Sequence, residues 1–433
     1  MKHYRFLIPV ALVVLYVVSI YRLHDIRKTE QQQYNSYMAA AREKREQGIL
    51  VDAKANYESA LNLKPSLQLY IEIGEFYKES KQRKAATDWG TSIVNKYPKK
   101  KDGYEFLMEL YMETEDYIAC YDMYDKMNKR SVRSEYVENC MKEIKYTFYL
   151  KGAYTDVGVY SEGLCPVIEE ERLGYTDLTG NKIISGRYDK VGYFSEGLAP
   201  VTDSDGSAYF IDAKGNKKHV VMNVENVREL SLIYEDMFAL YNGQSWGYYD
   251  MKHKYLFGEY EAASSIGSGI AAVKENGIWY LVDKSGKKIS DTGYDNVIAD
   301  EKNVVYRNER IFVQKNNSCY MIDGSGRQIS ENTFEDADMF RDGTYAAVQV
   351  DGKWGFIDKK GEMVIEPQYE EARSFANGFA AVKYDDMWGF IDEKGNPVIE
   401  AQFAGAKDFN SNGCAYVYDG ETWTLLILYR FNH

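Results

Sequence analysis

Five of the six tryptophans, Trp246, Trp279, Trp354, Trp388 and Trp423, open nearly the same short run of residues, so one chemistry is repeated along the chain. An exposed indole face stacks on sugar rings or on a quaternary ammonium, which would make these positions a glycan-binding platform. The competing expectation is a core role, because Leu173, Ala208 and Cys319 stand at equivalent positions, as buried sites allow. An aspartate closes seven copies of the run, at 177, 212, 250, 283, 323, 358 and 392, and the copy that begins at Trp423 lacks it. One carboxylate per repeat, without D-x-D-x-D-G spacing, does not make a calcium loop. Asp followed three residues later by Gly, as in Asp392 to Gly395, instead caps a tight turn.

Catalytic constellations are not legible. The five histidines, at 3, 24, 219, 253 and 433, form no H-E-x-x-H pair, and there is no Walker loop, G-x-S-x-G elbow or dinucleotide-binding glycine run. The five cysteines, at 120, 140, 165, 319 and 414, make no C-x-x-C pair, which disfavours a structural zinc site. The expectation is a protein that is not an enzyme, with no catalytic residue, no cofactor and no metal. Net charge is −13, divided as +3 over residues 1–150 and −16 over the rest, and the acidic part repels phosphate backbones. Nucleic acid is therefore not an expected partner. Acidic clusters such as Glu370-Glu371 and Asp385-Asp386 could attract a basic one.

The repeats that must position these residues fill 147–433. KWGFIDKKGEMVIEPQYEEARSFANGFAAVKYDD is followed directly by MWGFIDEKGNPVIEAQFAGAKDFNSNGCAYVYDG, and the repeat aspartates are 33 to 40 residues apart. With WGYYD at 246–250 and looser forms elsewhere, this region closely resembles the WG-repeat (KWG) family. Each unit splits into about four short strands separated by turn residues, the outline of a propeller blade. Eight such units predict a seven- or eight-bladed β-propeller, with an open β-solenoid as the alternative fold. The last unit stops after its WG-type strand, and TFYLKGAY at 147–154 stands where the missing strand belongs, so the two ends of the region should close a ring.

Residues 30–146 carry helical periodicity with a period near 34, and Tyr37, Tyr70 and Tyr104 fall in register. Small residues recur at Ala41 and Gly74 and again at Ala53, Ala86 and Cys120, with Pro65 and Pro98 after two of the units. This resembles the tetratricopeptide (TPR) helix–turn–helix repeat. The resemblance implies an inner groove that takes peptides, lined at the matching positions by Arg42, Arg45, Glu75, Lys78, Glu109 and Glu113. A solvated helix face is the plainer alternative.

Residues 1–29 are expected to be an anchor. FLIPVALVVLYVVSIY at 6–21 has no charge and is flanked by Lys2, Arg5, Arg22, Arg27 and Lys28, which is just long enough to span a bilayer. No small-residue cleavage site follows. These features describe a bacterial-type, single-pass membrane protein with its bulk outside the cytoplasm. The expected activity is a scaffold for protein partners at the cell envelope, with a cell-wall glycan binder as the alternative.

Overall fold

The computed structural model of the chain describes residues 4–220 and 227–431, with side chains from Val13 onward except those of His219 and Val220. Two compact units divide between Lys145 and Tyr146. The first holds seven helices: α1 (Tyr4–Glu46), α2 (Leu50–Leu63), α3 (Leu67–Glu79), α4 (Arg83–Lys96), α5 (Asp102–Glu113), α6 (Tyr117–Lys129) and α7 (Glu135–Glu143). Short turns join them into successive pairs, with Lys81, Glu115 and Ser131 in the left-handed region at the turns.

Small residues bring the helices close. Ala41, Ala53 and Ala86 are fully buried, and a Cβ on Gly74 would stand 2.9 Å from the Phe106 ring, or on Gly90 2.6 Å from Leu107. Helix α1 runs unbroken across residue 29, from the apolar segment into the first pair. No helix among the described residues is long and apolar enough to cross a membrane. The side chains of residues 6–12, which are part of the 6–21 segment, lie outside that description.

The second unit is eight antiparallel sheets in sequence order, so eight blades are observed rather than seven and the open solenoid is not. Blade 7 is the type. Its strands Glu371–Ala372, Phe379–Tyr384, Met387–Asp392 and Pro397–Phe403 run from a two-residue inner strand to an outer one. Blade 8 is completed by the chain's first strand. Phe148–Tyr154 pairs antiparallel with Trp423–Leu428, Phe148 opposite Leu428 and Lys151 opposite Leu425. Each seam between neighbouring blades holds its own apolar cluster. Tyr154, Cys165 and Tyr416 fill the seam between blades 8 and 1, and the Thr176 Oγ1 to Tyr416 hydroxyl bond of 2.8 Å crosses it.

The sheets also explain the glycine of the WG pair. In blades 1, 6 and 7 the outer strand bulges across Gly174, Gly355 and Gly389, where a Cβ would meet backbone at 2.4 to 2.6 Å. Blades 4 and 5 place Tyr280 and Tyr320 at this position and are three-stranded, with only isolated bridges where the outer strand would run. Blade 2 carries Tyr209 at the same position and keeps its outer strand, Lys217–Val220.

Candidate functional site

All seven repeat aspartates are held in turns. Each accepts two backbone N–H groups: Asp212 from Lys214 and Asn216 at 2.9 Å, Asp358 from Lys360 at 2.8 Å and Glu362 at 3.0 Å, and Asp392 from Lys394 at 3.0 Å and Asn396 at 2.9 Å. The same pattern holds at Asp177, Asp250, Asp283 and Asp323. Among the described residues no cluster of acidic, His or Cys side chains is arranged to hold a metal. The five tryptophans are half-buried. Trp246, Trp279, Trp354, Trp388 and Trp423 each lie against a different seam cluster. Their remaining faces are partly covered too, Trp246 by Tyr241 with centroids 5.4 Å apart and Trp423 by Tyr418 at 5.3 Å.

Five of the six groove candidates on the helical unit are paired between α1 and α3 or between α3 and α5. Arg42 makes a two-pronged pair with Glu72 at 2.7 and 2.8 Å, Arg45 donates to Glu79 at 2.8 Å, and Lys78 on α3 bridges to Glu109 and Glu113 on α5. Glu75 stands between them, and burial raises its carboxyl above the usual range. The face is a ladder of internal ion pairs rather than a row of free charges.

A denser charged cluster was not anticipated, and it lies at the ring's axis. Residues just past the inner strands of blades 1, 5, 6, 7 and 8 surround one cavity of about 340 Å³, which identifies it as one mouth of the central channel. Arg341 of blade 6 pairs with Glu301 at 2.7 Å and Asp338 at 2.9 Å, and Arg373 of blade 7 pairs with Asp408 at 2.6 Å and with Glu301. Burial opposes ionisation of Glu301 and Asp408, but Arg373 and Arg341 outweigh it and hold both carboxyls low. Asp338 goes the other way, because burial outweighs its arginines.

Glu301 arrives there on an insertion. In blade 7 the inner-strand residue Ala372 precedes the bridge residue Ala376 by four positions, whereas in blade 5 Val297 precedes Arg307 by ten. The extra residues are one more aspartate turn. Asp300 accepts from the N–H groups of Lys302 and Val304 at 2.9 Å, and Asn303 takes the left-handed place at φ 56°. The sequence held a signal, since Asp300-Glu301-Lys302-Asn303 repeats Asp392-Glu393-Lys394-Gly395 except at its last residue. This copy falls between repeats, outside their spacing.

Blades, seams and channel together define an eight-bladed β-propeller preceded by a helical region. Five of its segments, residues 174–205, 246–279, 321–354, 354–388 and 388–423, match the family model described as WG containing repeat. No curated protein matches the chain. Among solved structures, BamB from Moraxella catarrhalis is 14% identical with a TM-score of 0.41, over 67% of this chain and 96% of that one. The C-terminal WD40 domain of Sif2 is 9% identical with a TM-score of 0.43, over 65% of this chain and 98% of that one. The computationally designed Ika8 protein is 11% identical with a TM-score of 0.41, over 64% of this chain and 96% of that one.

Proposed function

We propose that the chain is a non-enzymatic binding protein that offers a WG-repeat propeller to protein partners at the cell envelope. The observation that carries this reading is that the repeated polar and aromatic residues serve the fold. The aspartates cap turns and the tryptophans pack on seams, so recognition falls to the residues that differ from blade to blade. The helical region, which resembles TPR pairs, would add a second surface. Its ion-pair ladder contains more acids than bases, and Glu75 favours a basic segment of a partner.

The N-terminal stretch of α1 is the proposed membrane anchor. Its apolar side chains from Val13 to Tyr21 are largely exposed, as Leu15 at 63% and Tyr21 at 76% illustrate, and the flanking arginines suit lipid headgroups. The bulk of the chain is placed outside the cytoplasm. Deleting residues 6–21 should move the protein from the membrane fraction to the soluble one, and a carboxy-terminal tag should be digested by protease on intact cells. Membrane retention of the deleted form would sink the anchor, and a tag protected until lysis would sink the orientation. A glycan-binding alternative rests on the half-exposed Trp354 and Trp388. It requires that Trp354→Ala and Trp388→Ala abolish retention on purified wall polymer while the fold persists.

A further inference from the structure

Blade 2 carries alanine where five blades carry tryptophan, and its neighbours do not make good the loss. Blade 8 shows what the position ordinarily holds. Trp423 stands opposite Tyr418 in the ladder with ring centroids 5.3 Å apart, and Lys407 lies over the indole at 5.3 Å. Gly405, opposite Tyr418 on its other side, lies so close that a Cβ there would meet the indole at 3.3 Å. The first three strands of blade 2 are Lys190–Val191, Leu198–Thr202 and Ala208–Asp212, and their ladder places Ala208 opposite Thr202 and Thr202 opposite Lys190. Gly192 takes the place of Lys407. The indole, the phenol and the lysine chain of blade 8 are thus reduced to a methyl, a threonine and a hydrogen.

The space is a cavity of about 220 Å³ at the seam between blades 2 and 3, with Gly192, Pro200, Thr202 and Ala208 on one wall and Arg228 and Leu230 of blade 3 on the other. A cavity of about 150 Å³ accepts a benzene ring, so this one has room for an indole. A Cβ on Gly192 would stand 2.5 Å from the Pro200 ring, which keeps that wall bare. Leu173 and Cys319, the other two replacements of the tryptophan, instead pack into their own seam clusters. The rim is exposed and charged, with Lys190 paired to Glu229 at 3.4 Å across the seam and Arg228 beside them. A ring carried on a chain can therefore enter while its backbone stays at the rim. There a cation can cover its face, as Lys407 covers Trp423 and Lys274 covers Trp279 at 5.9 Å.

We propose that this pocket receives the tryptophan side chain of a protein partner, which fills blade 2 as the repeat's own tryptophan fills the other blades. The inference rests on the protein-partner reading and gives that partner a chemical mark, an exposed indole.

Fluorine NMR titration of N-acetyl-5-fluorotryptophanamide with the full chain in detergent tests this. The probe should bind saturably, and unlabelled N-acetyltryptophanamide should displace it where N-acetylleucinamide does not. Ala208→Trp should weaken the probe tenfold or more and unfold at a higher temperature, because the pocket is then filled from within. Thr202→Tyr, which restores only the ring that Tyr418 supplies in blade 8, should weaken it in the same direction, so the test does not hang on one variant. Four results would overturn the proposal: no saturable binding to the wild type, both variants binding as well as the wild type, equal displacement by the leucine amide, or binding of free indole without binding of the chain-borne amide. Each of these leaves the partner reading to the rest of the surface. Retention on wall polymer that depends on Trp354 and Trp388 would displace that reading without changing what the probe reports.

Discussion

At the scale of single residues, Trp388 illustrates why one repeated side chain invites two readings. Its ring stands opposite Phe403 in the sheet and packs on the cluster of Phe379, Phe390 and Phe409, so part of its surface serves the core. Truncation to Ala should cost about 2 kcal/mol, less than the 3 to 5 typical of a fully buried aromatic. Thermal unfolding of Trp388→Ala checks this as a drop of several degrees. The turn aspartates carry a pH dependence whose sign is fixed by their partners. The Ser325 hydroxyl and the Ser325 and Arg327 N–H groups hold the Asp323 carboxyl at about 2, against burial that opposes them. A lowered carboxyl stabilises the fold above the ordinary range near 4, and that stability is lost as pH falls toward 2. Asp283 and Asp392 shift in the same direction. The unfolding midpoint should fall between pH 5 and pH 2, and less steeply in Asp323→Asn. These tryptophans and aspartates were legible because repetition marks them. Arg373 does its work once, at a position where other blades carry Gly158, Gly192 or Ser264, Arg341 stands where they carry Ser161 or Ser195, and Glu301 lies on an insertion, so none of them leaves a periodic trace.

At the scale of elements, the outer strand of blade 7 packs closely on a glycine it does not contain. Gly389 faces the Ile399 carbonyl so closely that a Cβ would sit 2.6 Å from it, and the contact is backbone that cannot rotate away. Gly389→Ala should therefore destabilise the propeller by about 1 to 3 kcal/mol through overpacking. The effect should be local. Hydrogen exchange should rise first along Pro397–Phe403, leaving blade 7 closer to the three strands seen in blades 4 and 5. An equal fall in protection across all blades would argue against the outer strand as the site of the strain. Strand order was legible from turn residues and alternation. The missing outer strands were not, because each of their segments keeps an aromatic residue, Tyr294 or Phe334, which still bridges to Trp279 or Cys319. Helix periodicity likewise showed the pairs but not the continuity of α1, since an apolar segment and an amphipathic helix can share one unbroken backbone.

At the scale of the whole molecule, closure decides whether eight blades behave as one. The seam between blades 8 and 1 joins residues more than two hundred positions apart, and Phe148–Tyr154 lends it the strand that Trp423–Leu428 otherwise lacks. A ring closed this way has no free sheet edge at the join, while a ring missing that strand exposes both an edge and the apolar face of Leu425 and Tyr416. A chain of residues 146–433 should therefore unfold in one cooperative transition. A chain of residues 155–433 should melt at lower temperature or associate through the open edge. A peptide of residues 147–154 added in trans should restore the higher transition, because its register against Trp423–Leu428 is set by the buried Tyr154 at its end and by the irregularity between Lys151 and Tyr154. If the shorter chain melts like the longer one and ignores the peptide, blade 8 is held by its seams alone. The amino-terminal strand would then be a decoration of the ring rather than its closure.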